Sequence, residues 1–307
     1  MTVYPPPPVQ VTGNTETIHR FLKDPTSISK YVQTLSDAAL IADTILPKSQ
    51  TTESGSFVIE EPVEPGTTSS PEPIAPGAEY PLTNVREGTA AAVHTLKRGF
   101  DAEITDEAIS RRKFNPVQEA FSAMVYEMAL TVDSLALSAV GSAISRSEDA
   151  IAPWGTTGHN PLRDLLLAQA VVKGLRKGLH IDMCVIDYET AAMLASDEKI
   201  AALLKREDGS APIYTGVLGQ LGGITILQSE HLPAGAKNAL LLDSKRLGSM
   251  GEENISSPGY TRAAEAKAET KTIREERTDS YRARVRRVCV PLIEDADAGF
   301  ILEDVKA

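Results

Sequence analysis

Cysteine is scarce in this 307-residue chain, which has two. That excludes a disulfide scaffold and a cysteine-rich zinc module. Cations are outnumbered: 31 Lys and Arg stand against 42 Asp and Glu, a formal charge of -11. A chain of that sign is a poor general binder of phosphate backbones, which argues against sequence-independent nucleic-acid binding by the whole surface. The N-terminus has neither a basic region nor an apolar core of the signal-peptide kind. No uninterrupted apolar run reaches the roughly 18 residues of a membrane span. The nearest, Ala120 to Ile144, is broken by Glu127 and Asp133. The expectation is a soluble protein from a reducing compartment, in one large domain or two medium ones. What is present is an ordinary globular composition, 42% hydrophobic, 24% charged and 5% aromatic, which excludes wholesale disorder.

The chain begins with four prolines, Pro5 to Pro8, which favour an extended polyproline arm. Thr15 to Leu46 then reads as helix in two pieces, divided at Asp24-Pro25, with Ser36-Asp37 as a further start. The first 50 residues hold too few large apolar groups for a core of their own. They read as an arm lying on something else. Residues 53–88 hold six prolines and four glycines, with a short apolar strand at Phe57-Val58-Ile59 and a second extended piece from Tyr80 to Val85. The stretch is either a flexible linker or a long projecting hairpin. A projecting hairpin needs a neighbouring molecule to bury it.

Ala90 to Ile104 reads as a strand and its turn. Asn115-Pro116-Val117-Gln118 is a helix start, with Asn115 at the N-cap, Pro116 at the first helical position and Gln118 closing a capping box. The helix runs to about Ile144 behind a stripe of Phe121, Val125, Met128, Val132, Leu135 and Ala139. From Ile151 helix and strand alternate: helix 162–179, strand 180–186, helix 188–205 capped by Asp187, then strands 224–228 and 239–242. Residues 262–273 oppose a helical composition to a strict period of two, and the period predicts a strand. Strands at 281–293 and 300–305 close the chain. The fold class is α+β.

Little in this pattern carries chemistry. His19, His94, His159, His180 and His231 have no metal-ligand spacing. Cys184 and Cys289 sit in apolar strands, where a small buried hydrophobe outweighs a nucleophile. The GVLGQLGG run at 216–223 matches no phosphate-loop pattern and precedes a strand, so it reads as tight turns. Ser27–Lys30 and Ser196–Lys199 have the Ser-x-x-Lys spacing without the motifs that accompany it in hydrolases. Arg282, Arg284 and Arg286 share one strand face beside Arg287, as a nucleic-acid patch or as cross-strand or intersubunit ion pairs. No paired carboxylates stand out. The expectation is no enzyme, no catalytic residue, no metal and no cofactor.

Four segments carry a resemblance: LKRGFDAEITDEAI at 96–109, IDYETAAMLASDEK at 186–199, GVLGQLGGITILQSEHLPAGAKNALLLDSKRLG at 216–248 and DSYRARVRRVCVPLI at 279–293. In order and spacing the chain resembles the major capsid protein of tailed bacteriophages (Caudoviricetes), with the Hong Kong-type capsid fold. The resemblance implies an N-terminal arm at 1–50 and an extended loop at 51–88, a projecting β-hairpin over a neighbouring subunit. It implies a peripheral domain at 89–150 and 245–307 with a spine helix at 116–144, and an axial domain at 151–244. The implied function is a shell subunit that self-assembles as pentamers and hexamers into an icosahedral head enclosing double-stranded DNA, with no sequence-specific binding of that DNA. Phe57, Val58, Ile59, Glu60, Glu61, Arg282, Arg284 and Arg286 become the candidates for intersubunit contact. The implied partners are further copies of the chain, a separate scaffolding protein, a portal and a decoration protein, with no membrane. The implied location is the virion, after assembly in the host bacterial cytoplasm.

Two departures from some members matter. No lysine lies between Lys48 and Lys97, and no asparagine follows Asn254. The lysine–asparagine isopeptide bond of those members therefore has no counterpart, and a shell held by non-covalent contacts is expected. About fifty residues precede the loop, short for a fused scaffolding segment, so the expectation is separate scaffolding or none and a retained N-terminus. The alternatives are an encapsulin-like nanocompartment shell around cargo enzymes and, more remotely, an enzyme of unknown type on the 151–244 module.

Overall fold

The computed structural model describes residues 15–24, 26–32, 41–60, 73–80, 90–112, 115–156, 158–197, 219–229, 237–262 and 267–306, with single positions between them (82, 88, 200, 231 and 232). The tetraproline, Ser36-Asp37, Glu61 and most of Tyr80–Val85 lie outside the described residues.

The arm begins with helix α1, Thr15–Lys23, and continues in α2 over residues 26–32. Asp24 divides them because its carboxylate accepts from Thr26 N–H and Ser27 Oγ, at 3.1 and 2.6 Å, and so caps α2. Ile18, Leu22, Ile28, Tyr31 and Val32 are buried in the main core, and the Tyr31 ring stands edge-on to Phe121. The arm thus lies on its own chain's body. A single turn, α3 (Ala42–Ile45), leads into strand β1, Lys48–Thr52. Then come β2 (Ser56–Glu60), β3 (Ala90–His94) and β4 (Leu96–Thr105). Residues 90–104 are therefore two strands that part at Thr95, rather than one strand and a turn.

Helix α4, Asp106–Arg112, precedes the long helix α5, Asn115–Ala143. The Asn115 side chain lies outside the described residues, so its cap does too. By length and composition α5 is apolar enough to cross a membrane, yet half of its most apolar window is buried inside the fold. Its buried stripe begins as expected at Phe121, Val125, Met128 and Val132, then moves to Ala136 and Val140, with Leu135 and Ala139 only half-buried. The 3.6-residue turn causes that drift.

Strand β5, Ser147–Asp149, leads to α6, Pro161–Gly174. The helix stops short of Leu179 because Arg176 and Gly178 adopt φ of 56° and 73°, which no helix accommodates. Strand β6 (Met183–Ile186) and α7 (Tyr188–Ser196) follow, and Asp187 caps α7 by accepting from Thr190 N–H at 2.8 Å. Helix α7 ends before Asp197, whose backbone is extended. The remaining strands are β7 (Gln220–Leu221), β8 (Ile224–Gln228), β9 (Ala239–Leu242), β10 (Gly248–Glu253), β11 (Glu269–Glu275), β12 (Ser280–Ile293) and β13 (Gly299–Glu303). Gly222 and Gly223, both at positive φ, turn the chain between β7 and β8.

Among the described residues the strands build two large sheets and one hairpin. The first runs β1-β10-β12-β11 with β4 also on β12, and the second runs β5-β13-β9-β6-β8-β7. Strand β12 is flanked on both edges, by β4 and by β11. Helix α5 packs on β12 and β4. Strands β5 and β13 lie in the second sheet, although both fall within the stretches 89–150 and 245–307 that supply most of the first.

Asp133 fastens these parts together. It is fully buried on the apolar stripe of α5. Its carboxylate accepts from the backbone N–H of Ile41 and Ala42, at 3.1 and 2.7 Å, and from His231 Nδ1 at 2.6 Å. A buried carboxylate is tolerable only with such partners. Replacing it by alanine strands three buried donors, at about 1–3 kcal/mol each. Asp133→Ala is therefore expected to lower subunit stability by at least about 2 kcal/mol in urea denaturation, whereas Glu127→Ala, on the exposed face, shifts it by less than about 0.5 kcal/mol. Equal effects would show that Asp133 is not a structural tie.

Candidate assembly surface

The expected loop is built on β2 and β3, which pair antiparallel from Ser56–His94 to Glu60–Ala90. Pleating sends successive side chains to opposite faces. Phe57 points inward and is 8% exposed, while Val58 points outward and is 71% exposed. Ile59 is half-buried and Glu60 exposed. The Phe57 ring seats on Gly251 of β10: a Cβ there would lie 2.7 Å from Phe57 Cε2 and 2.9 Å from Leu292 Cδ1. Glycine is what lets the ring reach the sheet. Thr95 adds a second anchor, its N–H donating to Gly55 O at 3.1 Å and its hydroxyl to the Glu253 carboxylate.

The three arginines of the β12 face all find carboxylates within their own chain. Arg284 stands opposite Asp101 and grips it with Nε and Nη2, at 2.6 and 2.7 Å. Arg286 stands opposite Glu269 and bonds it at 2.6 Å. Arg282 sits diagonally between Asp101 and Glu275, at 3.8 and 3.6 Å, and is the most open of the three. Arg286 also stacks over the Tyr260 ring, 3.5 Å from its centroid. Of the expected contact residues, Phe57 and Arg286 are buried by their own chain, and Val58, Glu60 and Arg282 face outward.

Arg287, on the opposite face, is 1% exposed. It donates to Asp43 at 2.9 Å and to Glu252 at 3.0 Å, tying α3 to the first sheet. Lys267 reaches Asp43 at 2.8 Å. Burial would raise the Asp43 carboxyl, but the Arg287 and Lys267 charges outweigh it and hold it below the usual range. Asp101 is lowered by its hydrogen bonds from Arg284, and Asp106 by those from Arg274.

Groups with reactive chemistry are otherwise engaged. Cys184 and Cys289 are buried, and burial pushes the Cys184 thiol up to about 12, far from thiolate reactivity. His159 is paired with Asp197, and His231 with Asp133. Among the described residues no three His, Cys, Asp or Glu side chains gather as a metal site.

A family model described as "Phage capsid protein" matches residues 89–302. The chain belongs to that family. Among curated protein sequences none matches. Solved structures extend the likeness of fold to nearly the whole capsid chain. A phage-related protein from Bordetella bronchiseptica RB50 superposes with a TM-score of 0.60 at 10% identity, covering 90% of this chain and 97% of the other. The mature capsid of bacteriophage PhiM1 gives 0.58 at 12% identity, over 83% and 84%. The holo-SrpI encapsulin complex of Synechococcus elongatus PCC 7942 gives 0.56 at 12%, over 88% and 89%. The capsid subunit has the Hong Kong-type fold, and it is a capsid shell protein.

Sequence reasoning passed over three parts of this surface. Gly251 lies in a strand, GSMGEE, with no apolar period. Tyr260 was one aromatic in a loop. Asp43 sat in the arm without a visible partner. The spacing of Arg282, Arg284 and Arg286 against Asp101 and Glu103 was the available signal for the cross-strand pairs.

Two expectations follow for the capsid protein. Gly251→Val displaces the Phe57 ring, so amide exchange across 56–60 and 90–94 should quicken at least about tenfold, since overpacking costs about 1–3 kcal/mol. Unchanged protection would mean that Phe57 does not hold the hairpin down. Secondly, a carboxyl held below its unfolded value stabilises the fold above that value and loses the contribution as pH falls through the folded one. Asp43, Asp101 and Asp106 are all of this kind. The subunit should keep full stability above about pH 5 and lose it progressively below about pH 4, near the unfolded Asp value. Asp101→Asn should flatten that acid limb; denaturation midpoints measured between pH 2 and 7 that leave it unchanged would contradict the assignment.

Proposed function

We propose that the protein is the major capsid subunit of a tailed phage, assembling as pentamers and hexamers into an icosahedral head around double-stranded DNA. The family match across 89–302 carries this reading. In it, residues 1–50 are the N-terminal arm and 51–88 the extended loop that reaches a neighbouring subunit. Residues 89–150 and 245–307 form the peripheral domain, with β13 crossing to the axial sheet, and 151–244 form the axial domain. Val58, Glu60 and Arg282 are the candidates whose exposure suits intersubunit contact. Glu61 belongs with them by sequence.

The shell is held by non-covalent contacts and encloses its DNA without sequence-specific binding; a net charge of -11 suits a container that does not grip its contents tightly. Its partners are a scaffolding protein, a portal and a decoration protein. Assembly takes place in the host bacterial cytoplasm, and the subunit's role is structural rather than catalytic. The likeness to an encapsulin complex supports a second reading, a nanocompartment shell enclosing cargo protein.

Negative-stain microscopy with light scattering tests the proposal. Closed shells or capsomers are expected, and the particles should dissolve to monomer-sized bands on a denaturing gel. Cross-linked ladders would refute the non-covalent shell. Nuclease-protected double-stranded DNA inside native particles supports the phage head; protein cargo in its place supports the nanocompartment. A subunit that stays monomeric when co-expressed with scaffolding and portal partners would overturn both.

A further inference from the structure

Two arginines stand side by side on the inner face of the first sheet. Arg98 of β4 is the register partner of Arg287 of β12. Directly opposed side chains of a ladder lie about 4.5–5.5 Å apart at Cβ. Two charges of one sign at that spacing repel unless an anion compensates them. The chain brings two carboxylates to this place, and both are committed. Asp43 is shared by Arg287 and Lys267, and Glu252 by Arg287 and Arg262. Arg98 makes no ion pair among the described residues.

The unmet demand falls on particular atoms. Arg98 Nη1 and Arg287 Nε are both buried, and neither donates to an acceptor among the described residues. Buried donors without an acceptor are rare and costly, most of all on charged groups. Arg287 is 1% exposed, so its Nε cannot turn to solvent. Cys289 follows on the same face of β12, opposite Leu96. Burial raises its thiol, and the charges of Arg287 and Arg98 oppose that rise, so both guanidiniums lie within electrostatic reach of one buried sulfur. From β4 and β12 the groups that meet here are two guanidiniums and a thiol, with donors in excess of acceptors.

A water molecule would accept from the two N–H groups but leave their charge uncompensated. A carboxylate carried by another polypeptide is the weaker fit, because neither nitrogen reaches the surface. Arg98 as a whole is half-buried, so the approach from solvent runs along its side chain. A small monovalent anion accepts from several donors at once, carries the missing charge and needs no segment of chain to deliver it.

We propose that Arg98 and Arg287 together bind a small monovalent anion of the halide class, which compensates the buried charge of the first sheet. The site goes beyond the shell reading and does not depend on it.

Thermal unfolding of the purified protein at constant ionic strength tests it, with sodium gluconate replaced stepwise by sodium chloride. The midpoint should rise saturably with chloride, by about 2–4 °C at ten times the dissociation constant. Arg98→Met removes one cation and keeps an unbranched stem. It should abolish the chloride response and unfold above wild type in gluconate, because the uncompensated charge is gone. Wild-type crystals soaked in sodium bromide should show an anomalous peak in contact with both arginines. A midpoint indifferent to chloride, or a response that survives Arg98→Met, overturns the proposal. A loss of stability in Arg98→Met that is the same in chloride and gluconate would make Arg98 a structural residue and overturn it too. A bromide peak without any chloride response would mark an adventitious ion only, with the same consequence. Should Arg98→Met not fold, the wild-type chloride response and the bromide peak must both be present, and the failure of either overturns the site.

Discussion

A single buried carboxylate organises the molecule. Asp133 sits where α5 should present an apolar side chain, and there it must be satisfied by donors brought from elsewhere. Two come from the backbone at Ile41 and Ala42 and one from His231. The arm, the long helix and the loop after β8 are thereby held in one arrangement. Arg287 acts on the same short segment from the other side, reaching Asp43 from the inner face of β12. Residues 41–46 are thus fixed by an anion on the helix and a cation on the sheet, with Ala42, Ile45 and Leu46 fully buried between. Such buried groups add little net stability compared with an apolar core, but losing one partner costs about 3–5 kcal/mol. Their effect is to specify one position for the arm rather than to increase the total.

The same logic divides β12 between two roles. Tyr281, Ala283, Val285 and Cys289 face the core, and Arg282, Arg284 and Arg286 face away from it. Arg287 breaks the alternation, and Asp43 and Glu252 compensate it. On the outer face each arginine meets a carboxylate from β4 or β11, so the register of three strands is read by charge as well as by hydrogen bonds. The Arg282 and Arg284 pairs are partly exposed and worth little each, whereas Arg286–Glu269 is buried. Their geometric result is a flat, rigid floor on which Tyr260 stacks.

Much of this was legible in the residues. The long helix, the strands at 224–228, 239–242 and 281–293 and the Asp187 cap follow from period and capping chemistry alone. Strands β1 and β10 were not legible, because KSQTT and GSMGEE have no apolar alternation. Strand β10 forms because β12 offers it a ladder, β1 because β10 offers the next one, and Gly251 lets the Phe57 ring close over β10. Asp133 and Glu127 looked alike as interruptions of an apolar run. Only the helix face separates them, and that distinction emerges once the stripe is followed past Val132 with its true period. The contact candidates split for a similar reason: neighbours in sequence, Phe57 and Val58 lie on opposite faces of a pleated strand.

A shell subunit must meet its neighbours strongly in sum and weakly one contact at a time, or errors in assembly could not be undone. A long, flat apolar edge would meet neighbours indiscriminately and invite aggregation. Here the β2–β3 hairpin hides Phe57 against the parent sheet, and the sequence between its strands is rich in glutamate and proline. Proline lowers the entropy lost when an extended segment docks, and like charge on every loop keeps two loops from pairing with each other. Specificity then comes from repulsion between wrong surfaces as much as from attraction between right ones. More than half of the chain's acidic excess lies in residues 53–88, with seven glutamates against one arginine.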